Sequence, residues 1–217
     1  MRLGIVVSVI VLAAVLVQPA SAMVLGLDWG LGQSTAHVNY KGQNLNLWAG
    51  KFAGYEGGTL GNPKPPVDGH FFGWLYCVDL EHLISLPTEY EVTRLTTASL
   101  SNGGRAAWLY ENYINDTNEA GKAAALQLAL WEVVVDNGDG FGAGDFKYTG
   151  GLNAATGNAA ISMLAASAGQ SATISYFQPV AGGQAMIGPV PEPGSFMLLG
   201  LGLGLSATGF AIRRKKR

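Results

Sequence analysis

The stretch FFGWLYCVDLEH, Phe71–His82, is dominated by aromatic and aliphatic residues, a composition that predicts a mostly buried β-strand. The segment before it, GNPKPPVDGH (Gly61–His70), holds three prolines and predicts a loop. Cys77, the only cysteine of the chain, lies inside the predicted strand. We interpret Asp79 and Glu81 as a solvated strand face rather than as acid–base groups. Any function for this stretch has to account for one lone thiol.

Further strands are predicted on both sides of this stretch. STAHVNY (Ser34–Tyr40) and LNLWAGKF (Leu45–Phe52) have β character, and the glycines between them suit turns. SATISYFQPV (Ser171–Val180) predicts a closing strand.

Three helices are predicted between the strands. Gly103–Asp116 has apolar residues at helical spacing, and Thr117–Asp136 and Gly157–Ala168 are rich in alanine, the best helix former. Strands, a helical insert and a closing strand together predict the α+β class. We expect a β-sandwich or barrel-like domain that carries the helices as an insert.

The second predicted helix has two distinct faces. Leu126, Leu130 and Val133 fall at helical spacing and predict a core face. Gln127 and Trp131 lie one turn apart on a neighbouring face.

Both ends of the chain carry export features. Residues 1–22 combine Arg2, an apolar run from Ile5 to Val17 and the small-residue sequence Ala20-Ser21-Ala22, which is typical of a secretory signal peptide and its cleavage site. The mature chain is therefore expected to begin near Met23, with one domain over 23–189.

The other end, residues 190–217, has three parts in order. Pro191-Glu192-Pro193 comes first, then an uncharged glycine-rich span (Ser195–Ile212), and then five basic residues (Arg213–Arg217). This end resembles the PEP-CTERM sorting signal of Gram-negative, biofilm-forming bacteria. The resemblance implies export through the inner membrane, processing by an exosortase, and a location at the cell surface or in the extracellular matrix. Contact with the membrane is then expected only through this segment, before processing.

The charge of the domain excludes one class of partner. Between Met23 and Val190 there are seven basic and fourteen acidic residues, which argues against binding to nucleic acid. The glycine-rich segment Asn137–Asp145 and the adjacent Asp136 do not follow the EF-hand spacing. We therefore assign no metal site and no cofactor from the sequence.

Four interpretations of Cys77 are open from the residues alone. It could be a small buried hydrophobe, half of an intermolecular disulfide, or a catalytic nucleophile with His70 or His82 as its base. It could also form an internal thioester with a glutamine side chain, which would remove the free thiol without a second cysteine. Such a bond needs a site that excludes water, and we expect its walls to come from the nearby aromatic residues Phe71, Phe72, Trp74 and Tyr76.

Three short motifs resemble the thioester domains of bacterial surface adhesins, also called TQXA domains. Tyr76-Cys77-Val78 matches the cysteine motif. Leu126–Trp131, LQLALW, matches the helix motif at Gln127, Ala129 and Trp131, with leucine in place of the family's threonine. The third motif supplies the glutamine that acylates the cysteine.

Two glutamines fit the third motif. Gln184 is followed by Ala185-Met186-Ile187, as the family requires, but is preceded by glycine; Gln178 is preceded by Phe177 but followed by proline. Gln184 is preferred because it closes the domain.

The resemblance implies a function. A Cys77–Gln184 thioester would couple the protein covalently to an amine on another surface, a polymer or a small molecule. The Gln127 carboxamide would accept from a backbone amide and donate to the thioester oxygen, with Trp131 and Tyr76 as supporting residues. The protein would act once, as an adhesin, and would not be an enzyme. The alternative is a non-reactive structural matrix protein of the same fold, with a free or buried cysteine.

Overall fold

The computed structural model describes residues 21–58 and 69–189. The strands in this part of the chain are β1 (Ser21–Asp28), β2 (Ser34–Tyr40), β3 (Gln43–Ala49), β4 (Phe52–Glu56), β5 (His70–Cys77), β6 (Thr88–Thr96), β7 (Phe146–Gly150), β8 (Ser175–Pro179) and β9 (Met186–Gly188). The α-helices there are α1 (Gly103–Tyr113), α2 (Ala120–Asp136) and α3 (Ala154–Ala166). Two single 3-10 turns, Thr97–Ser99 and Ile114–Asp116, flank α1.

Six strands close into an antiparallel barrel in the order β1-β4-β5-β9-β8-β6. The helices and β7 come between β6 and β8 in the chain, so the predicted helical insert in a barrel-like α+β fold is confirmed. Neighbouring strands are antiparallel, so β1, β5 and β8 run in one direction and β4, β6 and β9 run in the other. The last residues of the first three strands therefore lie at the same end of the barrel as the first residues of the other three. This end is where Cys77 lies, and we refer to it as the cysteine end.

The barrel interior is filled by large apolar side chains. Leu75 and Phe177 are fully buried, and a Cβ added to Gly188 would lie 2.1 Å from Leu75 and 3.4 Å from Phe177. A glycine at position 188 therefore lets the short last strand pack against this core. Full burial of each such side chain contributes roughly 1.5–3 kcal/mol.

A second sheet, in the order β3-β2-β7, packs on α2. Helix α2 also contacts α1, α3 and β5, so it lies in the middle of the domain. Its residues 123–133 are all buried. This explains why the helix is apolar on nearly every face, as expected for a helix surrounded by protein.

Several predicted elements are confirmed, and others begin or end at residues that differ from the prediction. Strand β2 has the predicted bounds, and the three helices are present, although α2 begins at Ala120 rather than near Thr117. The predicted strand Leu45–Phe52 is wrong as one unit, because the chain breaks at Gly50 between β3 and β4.

Strand β5 also differs from the expectation. It begins at His70, which we had placed in the loop, and it ends at Cys77 rather than at His82. The chain turns after Cys77, because the Asp79 carboxylate accepts hydrogen bonds from the main-chain N–H groups of Glu81 (2.8 Å) and His82 (3.3 Å).

Parts of the export features lie outside the described residues. These are residues 1–20 of the predicted signal peptide, most of the proline-rich loop, and the predicted sorting segment 190–217. Ser21, the middle residue of the predicted cleavage motif Ala20-Ser21-Ala22, already belongs to β1. Over the two described ranges, no helix has the length and apolar character to cross a bilayer.

Candidate functional site

Strand pairing brings Gln184 beside Cys77. Cys77 pairs with Met186 across β5 and β9, and the Val78 N–H donates to the Ala185 carbonyl oxygen at 3.0 Å. Gln184 lies just before β9, at the cysteine end of the barrel. Both side chains are buried, with exposed fractions of 1% for Cys77 and 6% for Gln184.

The thiol and the carboxamide meet at one oxygen atom. The Cys77 thiol donates to the Asp79 carbonyl oxygen at 2.9 Å, and the Gln184 Nε2 donates to the same oxygen at 3.0 Å. The sulfur and the nitrogen can therefore be no farther apart than the sum of these two short distances. The Asp79 N–H in turn donates to the sulfur at 3.3 Å.

Tyr90 holds the main chain at Gln184. Its hydroxyl donates to the Gln184 carbonyl oxygen at 2.5 Å, and its ring lies against Gly183. A Cβ at position 183 would be 2.5 Å from the Tyr90 ring, a distance that real Cβ atoms do not reach. The glycine that departs from the adhesin motif thus has a packing reason here.

Gln127 extends from α2 to the main chain of Cys77. Its Oε1 accepts from the Cys77 N–H at 3.2 Å, and its Nε2 donates to the Cys77 carbonyl oxygen at 2.7 Å. Strand β4 begins at Phe52, which pairs with Leu75, so Cys77 lies beyond the end of that ladder. The fully buried carboxamide of Gln127 supplies the hydrogen bonds that β4 does not.

This geometry changes the predicted role of Gln127. The expected hydrogen bond from a backbone amide is present, but the expected donor group is directed to the Cys77 carbonyl oxygen. Gln127 therefore orients the cysteine through its main chain, with one of its two Nε2 protons directed to the Cys77 carbonyl oxygen.

A cavity of about 380 Å³ opens beside Cys77 and Gln184. Its other lining residues are Trp29, Asn46, Leu47, Trp48, Phe52, Leu80, Leu83, Ile84, Ser85, Leu86 and Trp131. The lining is mostly apolar and comes from the cysteine end of the barrel, from β3, from α2 and from the turn after β5. Such a cavity can hold a small group next to the thiol while limiting access of water.

Trp131 lines the cavity and carries a buried polar atom. Its side chain is 2% exposed, and its indole N–H has no hydrogen-bond partner in the described part of the chain. The indole N–H is near enough to the sulfur to favour the thiolate, although it forms no hydrogen bond of normal geometry with it. A buried donor without a partner is costly in a dry site.

The aromatic residues predicted to wall the site are not the ones that line the cavity. A register shift between Gly54 and Tyr55 leaves Phe72 of β5 without a partner residue on β4. Phe72 packs on Phe177 of β8, with 5.5 Å between the ring centroids. None of Phe71, Phe72, Trp74 and Tyr76 lines the cavity; its aromatic residues are Trp29, Trp48, Phe52 and Trp131.

Tyr76, predicted to support the thioester, lies on the outer face of β5. Its ring packs edge-on against Tyr110 of α1, with 6.2 Å between the centroids. Strand alternation explains this position, because Tyr76 and Cys77 are consecutive and their side chains point to opposite faces. Tyr76 therefore stabilises the contact between α1 and the barrel.

The structure separates the two competing glutamines. Gln178 is exposed on the outer side of β8, paired with Thr93, while its neighbour Phe177 points into the barrel. Gln184, by contrast, lines the cavity with Cys77.

Sequence reasoning missed the pair Trp29 and Trp48 at the cavity. Their side chains are 48% and 52% exposed, and their ring centroids lie 4.5 Å apart at an interplanar angle of 46°. In the sequence, Trp29 precedes the first predicted strand and Trp48 lies inside the second, and neither position distinguishes a rim residue from a core residue.

Burial dominates the acid–base behaviour of Cys77. It raises the pKa of the thiol to about 12, although the hydrogen bond to Asp79 and the nearby Trp131 act in the opposite direction. The side chain of His82 is 61% exposed, and its Nδ1 contacts an Asp79 carboxylate oxygen at 2.7 Å rather than the thiol. His70 lies at the far end of β5. The geometry does not pair either histidine with the cysteine as a base.

Comparison with known proteins assigns a motif to the C-terminal segment of the chain. Residues 189–215 match the PEP-CTERM protein-sorting motif. This motif marks proteins for export and for sorting to the cell surface, and it is recognised by an exosortase. No curated protein and no solved structure matches the chain.

Proposed function

Starting from an exported chain with a surface-sorting motif, we propose that the domain forms an internal thioester between Cys77 and Gln184 and uses it to couple to amines. The observation that carries the proposal is the shared contact at Asp79: the sulfur and the Gln184 nitrogen reach one carbonyl oxygen at 2.9 and 3.0 Å. This contact keeps the two side chains together in one buried site, and a rotation of the Gln184 side chain that releases the Asp79 oxygen would bring the amide carbon to the sulfur.

Formation of the bond is a balanced exchange. The Cys77 sulfur attacks the Gln184 amide carbon, the carbon–nitrogen bond breaks, and the thiol proton leaves with the nitrogen as part of ammonia. No oxidant or cofactor is needed. The raised pKa of the thiol makes the free thiolate scarce, so proton transfer from sulfur to the departing nitrogen has to accompany the attack.

The second step joins the protein to its target. An amine attacks the thioester carbon, the carbon–sulfur bond breaks, and the Cys77 thiol is regenerated with a stable amide at Gln184. The unpartnered indole N–H of Trp131 is the donor best suited to stabilise the oxygen anion that develops in this step. The exposed pair Trp29 and Trp48 lies where a target would enter. The protein thus acts once, as an adhesin does.

One observation favours the alternative of a non-reactive structural domain. Cys77 is buried and its pKa is raised to about 12, as in a cysteine that serves only as a small hydrophobe. In that case the surface protein would act through its fold alone, as part of an extracellular matrix.

The intact mass of the purified full chain distinguishes the two functions. A thioester makes the chain lighter by one ammonia, and Cys77→Ala and Gln184→Ala should each abolish that loss. Gln178→Ala is the matched control, because this glutamine is exposed and does not line the cavity, and it should keep the loss.

Methylamine then tests the coupling step. Addition of one methylamine per chain is expected for the wild type, and none for Cys77→Ala. Two results together would refute the thioester and leave the structural function: a wild-type chain of full mass, and one free thiol per chain when the protein is unfolded and titrated with a thiol reagent.

A further inference from the structure

The carboxyl end of α2 carries a cluster of three acidic side chains that the thioester proposal does not use. Glu132 and Asp136 lie one turn apart on the helix, and Asp139 follows in the glycine-rich loop. One carboxylate oxygen from each residue lies within 4.8 Å of the other two. Sequence reasoning considered Asp136, Asp139 and Asp145 here; the fold brings in Glu132 instead of Asp145.

Glu132 supplies a second observation that points to a cation. Its side chain is fully buried, and its Oε1 accepts from the Gly140 N–H at 2.8 Å. Its Oε2 is buried and has no hydrogen-bond donor among the described residues. An acceptor oxygen left this way is costly unless something positive or a proton satisfies it.

The surrounding charges leave the cluster negative. The end of a helix that carries Glu132 and Asp136 is the negative end of its dipole, and the last turn of α2 has no basic residue. Across residues 21–58 and 69–189, no Lys, Arg or His forms an ion pair with any of the three carboxylates. The nearby Arg105 donates to the main-chain oxygens of Asn137 and Leu164 and to Ser167 instead.

From this arrangement we infer that Glu132, Asp136 and Asp139 bind a calcium ion. All three ligands are carboxylates and none is His or Cys, so the donor set suits a hard cation. Calcium accepts six to eight oxygens in adaptable geometry, so water and loop carbonyl oxygens can complete its shell. The glycine-rich loop provides that adaptability.

Asp136 would couple the ion to the fold. Its carboxylate accepts from the N–H groups of Asp145 (3.1 Å) and Phe146 (2.6 Å), so it already joins the end of α2 to the start of β7. An ion bound here would strengthen the link between α2 and the second sheet. It therefore should stabilise the folded chain.

Calorimetric titration of the chelator-treated full chain with calcium chloride tests the site. One calcium ion per chain is expected, with a dissociation constant on the order of 10⁻⁴–10⁻³ M, as in other extracellular modules. The melting temperature should rise with calcium concentration, since the ion binds only the folded state.

Three variants keep the result interpretable. Asp139→Asn and Glu132→Gln should lose the calcium-dependent rise in melting temperature, and Asp139 is exposed, so this variant should fold even if Glu132→Gln does not. Glu111→Gln removes the same charge from the exposed face of α1 and should keep the rise.

The competing explanation is a protonated Glu132 that shares its proton with Asp139. It predicts no calcium binding at up to about 10 mM, well above the extracellular range. That result, or an equal calcium effect in all variants including Asp139→Asn, would overturn the inference.

Discussion

Gln127 forms hydrogen bonds with both main-chain polar groups of Cys77, accepting at 3.2 Å and donating at 2.7 Å, from the side chain of a helix fifty residues along the chain. The contact substitutes for pairing with β4, because the first residue of β4 lies opposite Leu75 and the strand does not reach Cys77. It also aligns the cysteine with α2, which carries Trp131. One buried carboxamide therefore connects the barrel to the helix that lines the cavity.

Replacing Gln127 by methionine should destabilise the domain. The variant leaves the Cys77 N–H and C=O buried without partners, at roughly 1–3 kcal/mol each, so the free energy of unfolding should fall by about 2–6 kcal/mol. Urea unfolding followed by circular dichroism measures it. Gln178→Met, at an exposed glutamine, should change this free energy little; an equal loss in both variants would argue against the special role of Gln127.

Replacing Trp131 by phenylalanine should separate reactivity from folding. The ring is largely kept but the indole N–H is lost, so the free energy of unfolding should fall by only about 1–2 kcal/mol. If this N–H assists the attack of the amine, the rate of methylamine addition should fall by about a hundredfold or more. Mass spectrometry against time gives the rate. An unchanged rate in a folded variant would assign Trp131 to packing alone.

Gly183→Ala should displace Gln184. The new Cβ would lie 2.5 Å from the Tyr90 ring, so the main chain or the ring has to move, at a cost of about 1–3 kcal/mol. We expect a lower melting temperature and a smaller fraction of chains with the ammonia loss. Gly142→Ala is the matched control, because a Cβ there meets no atom within 4 Å. Normal thioester formation in Gly183→Ala would show that the position of Gln184 tolerates this shift.

The free thiol of Gln184→Ala should make stability depend on pH. Burial raises the folded-state pKa to about 12, whereas an unfolded cysteine has a pKa of about 8.5. The protonated thiol is favoured in the folded state, so its contribution is complete below about pH 8.5 and is lost as pH rises toward 12. Between pH 7.5 and 9.5 the free energy of unfolding should fall by about 1.4 kcal/mol more than in a Cys77→Ala/Gln184→Ala double variant. Equal pH profiles would mean that the thiol is solvated.

Local patterns predicted the elements that are set by local chemistry. Strand β2 and the central helix were predicted because alternation and alanine-rich composition act over a few neighbouring residues. The choice of Gln184 over Gln178 rested on its position at the end of the domain, and the fold brings Gln184 and Cys77 to one oxygen atom.

The features that sequence reasoning missed depend on contacts between distant residues. Strand β9 has only three residues, Met186–Gly188, and exists because β5 and β8 flank it. The wrong choice of aromatic walls had two sources. The end of β5 at Cys77 is set by contacts that the sequence does not show, whereas the outward position of Tyr76 follows from strand alternation and was overlooked. The rim residues Trp29 and Trp48 meet only after β1 and β3 have joined different sheets.

The direction of β9 carries the chain away from the cavity before the sorting motif begins. From Met186, beside Cys77, the strand runs away from the cavity, and by Pro189 the chain is next to Gly73, four residues back along β5. At about 3.3 Å per residue this is roughly 13 Å from the cysteine. The sorting motif begins at that residue. A chain held at the cell surface through this end would therefore have its cavity at the end of β5 away from the point where the described chain leaves the barrel.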